Sequence, residues 1–174
     1  DAHGPITNML MIGGGTYTFP SMIARQQPQA QVDVVEIDSM MDQIATKFFD
    51  YRDLANIHLA HQDGRVYLNK NQQKYDLVYL DAFSSLSPPY QLATVEATQH
   101  VKRALAPNGV AIANVLARPE ATDKYFAATY RTYQQVFESI KAYRVQNGVS
   151  NERQNIVFVM GDADAVGRVD RGMT

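Results

Sequence analysis

The sequence predicts one α/β domain whose mainly parallel sheet is covered by helices on both faces. Three observations carry that expectation. Short apolar runs rich in β-branched residues alternate with helical patterns along the 174 residues. The runs are apolar almost throughout, as strands buried on both faces are. Glycines and acids collect where the runs end.

The first run, NMLMI (residues 8–12), reads as a buried strand feeding the glycines at 13–15. Thr18 to Gln27 reads as a helix closed by Pro28, and QVDVVEID (31–38) as a second strand with acids at its carboxyl end. Ser39 is placed to cap a helix in which Met40, Ile44 and Phe48 recur at i, i+4, i+8. NIHLAHQDG (56–64) supplies a third strand and turn, KYDLVYLDAF (74–83) a fourth strand and GVAIANVLA (109–117) a fifth. Between the last two, Thr94 to Leu105 is helical and stopped by Ala106-Pro107-Asn108-Gly109.

Phe126, Tyr130, Tyr133 and Phe137 at i, i+4, i+7, i+11 mark one more amphipathic helix. SIKAYRV (139–145) and NIVFVMG (155–161) follow as a closing strand pair. The expected domain covers residues 1–162, and the polar stretch 163–174 reads as a solvated tail.

With 45% apolar and 20% charged residues, the composition is that of a globular chain rather than a disordered one. A net charge of −2 provides no basic footprint for nucleic acid, and no window reaches the length of a membrane helix. Absence of cysteine excludes a disulfide framework and a thiolate nucleophile. The expected location is cytoplasmic, although the chain opens on Asp1, so the parent protein is open to fusion with a membrane segment. His58 and His61, three apart on a strand, project to opposite faces, so no metal site is expected.

In open α/β sheets ligands bind outside the carboxyl ends of the strands. Gly13 and Gly15 close the first strand, and Glu36 lies 23 residues after Gly13 at the tip of the second. Strand, glycine loop, helix, strand and acid make up a nucleoside-binding unit, in which the acid accepts from ribose hydroxyls. No Gly-Lys-Ser or Gly-Lys-Thr follows, which excludes a P-loop, and the missing third glycine disfavours an NAD site. Asp63-Gly64 ends the third strand, where the acid serves either an adenine amino group or a simple turn. Asp81 ends the fourth, where it is either a partly desolvated, reactive carboxylate or a helix or turn cap.

Taken in order and spacing, MIGGG, VVEID, DGRVYL, KYDLVYLDAFSS and VKRALAPNGVAIANV resemble the spermidine synthase family and its synthase-like domains, over residues 8 to about 160. The resemblance implies a class I methyltransferase fold with a seven-stranded sheet and an antiparallel last strand. It implies a donor site for decarboxylated S-adenosylmethionine, formed by Gly13, Gly14, Gly15, Glu36, Ile37, Asp63, Gly64, Asp81 and Ala82, with Asp81 catalytic. The acceptor would be a small amine such as putrescine, with Thr16, Tyr17, Ser84 and Tyr90 as contacts and Tyr79 and Phe83 as further aromatic candidates. A homodimer is compatible with it.

Two positions depart from the family pattern. Thr16 stands where synthases usually carry an acid after the glycines, and Asp81-Ala82-Phe83-Ser84 lacks the second acid of a DSSD-like stretch. Only seven residues precede the first strand, so the family's N-terminal β-rich segment is not in this chain. Two other readings use the same sheet: a methyltransferase taking intact S-adenosylmethionine, and a nucleoside-binding module without turnover.

Overall fold

The computed structural model describes residues 6–82, 90–118, 123–145 and 152–172. The strands are β1 Asn8–Ile12, β2 Gln31–Glu36, β3 Ile57–His61, β4 Tyr75–Leu80, β5 Leu105–Ala117, β6 Ser139–Arg144 and β7 Gln154–Gly161. The helices are α1 Thr18–Gln26, α2 Met41–Phe48, α3 Gly64–Lys70, α4 Val95–Ala104, α5 Lys124–Gln134 and α6 Ala163–Gly172. They build one seven-stranded sheet of order β3-β2-β1-β4-β5-β7-β6. β1 to β5 pair in parallel, and β7 runs antiparallel to both β5 and β6. The seven-stranded sheet with an antiparallel last strand and helices on both faces is therefore observed.

Side-chain alternation divides the core into two layers. Met9 and Met11 of β1 join Val32, Val34 and Leu77 beneath Ile23 and Ala24 of α1 and Ala45 of α2. Leu10 and Ile12 join Val35 and Val78 on the other face, under Leu68 of α3, Val101 and Ala104 of α4 and Tyr133 of α5. β1 is thus clamped from both sides. Its carboxyl end, and the glycines beyond it, inherit that rigidity.

Helix ends follow local chemistry. Thr94 caps α4 by accepting from Ala97 N, with Lys102 and Arg103 in the last turn complementing the helix dipole. Asp123 caps α5 by accepting from Tyr125 N and Phe126 N at 2.9 and 3.0 Å. Pro20 is tolerated in α1 because it falls in the first turn, where its missing N–H has no partner to lose.

Four sequence expectations need correction. Residues 163–172 are helical, not a solvated tail: Ala165 and Val166 are fully buried against Val110 and Val159. The apolar trio Ala165, Val166 and Val169 supplies a face that the surrounding charges obscure. Ser39 does not cap α2; Asp38 Oδ1 instead accepts from Met40 N at 2.9 Å. The strand and turn expected over 56–64 give way at Gly64 to a helix, α3, through residues 65–70 to which the pattern assigned no element. β5 begins at Leu105, and Asn108 takes a positive φ of 62° within it while the register to β4 shifts. Among the described residues, no helix is long and apolar enough to cross a membrane.

Candidate active site

Strand order reverses between β1 and β4, and a cavity of about 300 Å³ opens there at the carboxyl ends of β1, β2 and β4. Gly13, Gly15, Glu36, Asp63 and Asp81 all line it. Gly13 has φ 90°, and a Cβ there would lie 2.6 Å from the Asp81 carbonyl oxygen. Only glycine lets the loop turn that close to the β4 end. Gly13 N donates to Val35 O at 2.8 Å and Asp81 N to Ile12 O at 2.9 Å, so the ladder continues past the strands and fixes both walls.

Glu36 holds the loop from the neighbouring strand. Its Oε2 accepts from Gly14 N at 2.9 Å and Gly15 N at 3.1 Å, and its Oε1 accepts from Asp38 N at 3.0 Å. Each carboxylate oxygen carries two acceptor sites, so capacity remains for hydroxyl donors in the cavity. Asp63 caps α3 through Oδ1, which accepts from Val66 N at 3.0 Å. Gly64 follows because a Cβ there would meet Ile12 Cγ2 at 2.4 Å.

Asp81 stands one step beyond the last parallel register pair, Leu80 with Ala113, and so faces Asn114 across the strands. Asn114 Nδ2 donates to Asp81 Oδ1 at 3.0 Å. Burial raises the Asp81 pKa above the usual carboxylate range, and the Asn114 bond partly opposes it. The same burial, with the Asp81 charge added, pushes the Tyr79 phenol up to about 12. Three carboxylates border the cavity, and no lysine or arginine is among its described lining residues. Such a rim favours a cationic ligand.

Residues 2–160 match the spermine/spermidine synthase domain. The chain belongs to that family. It is 32% identical over 146 residues to the polyamine aminopropyltransferase of Vibrio vulnificus, covering 82% of this chain and 48% of that enzyme. The chain thus spans about half of that relative's length. A probable spermidine synthase from Corynebacterium glutamicum superposes with a TM-score of 0.78 at 23% identity, over 92% of this chain and 57% of that one. Human methyltransferase-like protein 13, in complex with SAH, superposes with a TM-score of 0.77 at 21% identity, over 98% and 82%. At these identities the two structural likenesses speak for the fold, which is the methyltransferase-like fold of spermidine synthases.

Of the donor-site residues expected from the family resemblance, Gly13, Gly15, Glu36, Ile37, Asp63, Gly64, Asp81 and Ala82 meet at the cavity. Gly14 contributes its N–H to Glu36 but packs downward, where a Cβ would sit 2.4 Å from the Tyr17 ring. The acceptor contacts fare differently. Tyr17 is fully buried beneath the loop with φ 58°, its ring tilted against that of Tyr51 at 4.9 Å between centroids and its hydroxyl donating to Asp42 Oδ1 at 2.6 Å. It supports the loop and does not line the cavity.

Thr16 bonds to Thr18 and lines a separate groove with Met22 and Arg25. Tyr90 is 85% exposed and does not line the cavity. Tyr79 packs 4.9 Å from Phe19 instead. Phe83 and Ser84 lie outside the described residues. His58 and His61 go to different partners, Gln31 and Asp42.

Several residues at the site were not legible in the sequence. Gln62, Gln91 and Leu92 line the cavity. Arg65 of α3 donates to Gln91 O at 2.6 Å and Thr94 Oγ1 at 3.0 Å, and so pins that wall. Asn114 carried a usable signal, as the one polar residue in the middle of the apolar run GVAIANVLA.

Proposed function

We propose that this domain transfers an aminopropyl group from decarboxylated S-adenosylmethionine to a small amine. The observation that carries the reading is Asp81: a half-buried carboxylate with a raised pKa, set against the glycine turn in a cavity rimmed by acids and free of described cations. Family membership and the named activity of the Vibrio relative support it.

The expected roles follow from the chemistry of each group. Glu36 accepts from ribose hydroxyls, Asp63 with its second oxygen accepts from the adenine amino group, and Gly13 and Gly15 admit the nucleoside close to the backbone. Ile37, Gly64 and Ala82 supply apolar and close-approach contacts. The cationic sulfonium is favoured by the acidic rim. The amine nitrogen lone pair attacks the carbon beside sulfur, the carbon–sulfur bond breaks, and its electron pair leaves on sulfur as neutral 5'-methylthioadenosine. The new ammonium then releases a proton to Asp81. A positioned base of this kind contributes about 10² to 10⁴ in rate, and holding both reactants contributes more.

The test is calorimetric titration of the purified chain with 5'-methylthioadenosine, decarboxylated S-adenosylmethionine and intact S-adenosylmethionine. Preference for the first two is expected. Preference for the intact donor would replace aminopropyl transfer by methyl transfer, and no binding at millimolar concentration would remove the enzyme reading for this chain.

A further inference from the structure

Tyr17, Asp42 and His61 come from three different elements and form one chain of hydrogen bonds below the glycine loop. Tyr17 Oη donates to Asp42 Oδ1 at 2.6 Å, and the other carboxylate oxygen, Oδ2, meets His61 Nε2 at 2.9 Å. A carboxylate only accepts, so Nε2 carries the proton of the second bond. Both oxygens of one side chain are thus committed, each to a different element.

Each end of this chain adjoins the cavity without lining it. Tyr17 is the N-cap residue of α1, at φ 58°, and its ring lies directly under Gly14, where a Cβ would meet it at 2.4 Å. Gly14 is also the residue whose N–H the Glu36 carboxylate accepts. A bulky residue takes a left-handed backbone only where its surroundings impose it, and here the Tyr51 ring and the Asp42 carboxylate do so. Burial first, and the Asp42 bond second, raise the Tyr17 pKa far above the ordinary phenol value, so the hydroxyl remains a donor. At the other end, His61 closes β3 as the register partner of Glu36 and stands two residues before Asp63. Asp42 lies in the first turn of α2, and none of the three residues lines the cavity.

We infer that Asp42 is a positioning residue for the nucleoside site, tying the glycine loop, through Tyr17, to the carboxyl end of β3, through His61. This rests on the reading of the cavity as a nucleoside site. Under that reading the loop and Glu36 serve the ribose, and the β3 end serves the adenine through Asp63. Glu36 fastens the loop to β2 by the Gly14 N–H, and Asp42 fastens it to β3 from below. The second tie sets how far the two halves of the site stand apart. A coupling between its two ends, read on ligand affinity, is what separates such a tie from two unrelated packing contacts.

The experiment titrates the full chain calorimetrically with 5'-methylthioadenosine, for wild type, Tyr17→Phe, His61→Leu, the double variant, Asp42→Leu and Asp42→Asn. Tyr17→Phe and Asp42→Leu are each expected to weaken binding about tenfold, and His61→Leu about threefold. The double variant is expected to bind no more weakly than Tyr17→Phe, because one broken bond already releases the tie. Asp42→Asn is expected within about threefold of wild type. Its Oδ1 still accepts from Tyr17, and its Nδ2 donates to His61 once the ring carries its proton on Nδ1. Loss of packing alone produces neither the rescue by Asn nor the saturation in the double variant. Thermal melts of the unliganded variants show that each is folded at the titration temperature, and His61, one-third exposed, is a position where substitution leaves the core untouched. Wild-type affinity in Asp42→Leu, additive losses in the double variant, or an Asn variant as weak as Asp42→Leu overturns the inference and leaves the nucleoside site standing. A wild-type chain that binds no 5'-methylthioadenosine removes the nucleoside reading itself, and this inference with it.

Discussion

The Glu36 carboxylate accepts the Gly14 N–H at 2.9 Å, tying the end of one strand to the loop that follows its neighbour. The Gly15 N–H joins the same oxygen at 3.1 Å. Loop shape therefore depends on one side chain, and under the proposed function ribose binding depends on the same one. Glu36→Gln is expected to lower 5'-methylthioadenosine affinity about tenfold or more and to destabilise the unliganded fold by about 1 to 3 kcal/mol. Calorimetry and urea denaturation of the same variant check both halves.

Gly13→Ala tests the close approach of loop and strand. Its φ of 90° and the 2.6 Å distance to the Asp81 carbonyl oxygen leave a methyl group nowhere to go without moving backbone. A loss of about 2 to 4 kcal/mol is expected in chemical denaturation. Gly15→Ala is strained by φ 52° but meets nothing within 4 Å, so its cost is expected to be smaller.

The raised Asp81 pKa sets a pH dependence with a definite sign. A carboxyl that binds its proton more tightly in the folded chain adds stability below its unfolded pKa of about 3.9, and that contribution is lost as pH rises through the higher folded value. At neutral pH the folded chain holds a charge it would rather shed. Asp81→Asn is therefore expected to melt at or above the wild-type temperature near pH 7. Turnover runs the other way, since only the ionised form accepts a proton. Its acid limb is expected above the ordinary carboxylate value, and Asn114→Leu should move that limb higher, because the Asn114 bond now holds it down.

The last helix provides a test of packing. Val166 is fully buried on the sheet, so Val166→Asp is expected to cost about 3 kcal/mol or more in thermal or chemical unfolding. A residue in a solvated tail would change stability by about 0.5 kcal/mol or less.

These cases show which parts of the site could be read in advance. Gly13, Glu36, Asp63 and Asp81 were legible because periodicity locates strand ends, and strand ends in a parallel sheet share one rim. Tyr17 was misread because its direction is decided by a left-handed backbone and by Asp42, 25 residues away. Asn114 stands out as a polar residue inside an apolar run, but its place opposite Asp81 needed the register of β4 against β5, which no local pattern encodes. Helix α6 was hidden because its apolar face is three residues wide among Asp162, Asp164, Arg168 and Asp170.

The most direct measurement of the central claim is release of 5'-methylthioadenosine from decarboxylated S-adenosylmethionine in the presence of butylamine or putrescine, followed for wild type and Asp81→Asn. The account predicts amine-dependent release by wild type, and a loss of about 10² to 10⁴ in Asp81→Asn at unchanged nucleoside affinity. No amine-dependent release by wild type, or equal release by both proteins, would contradict it.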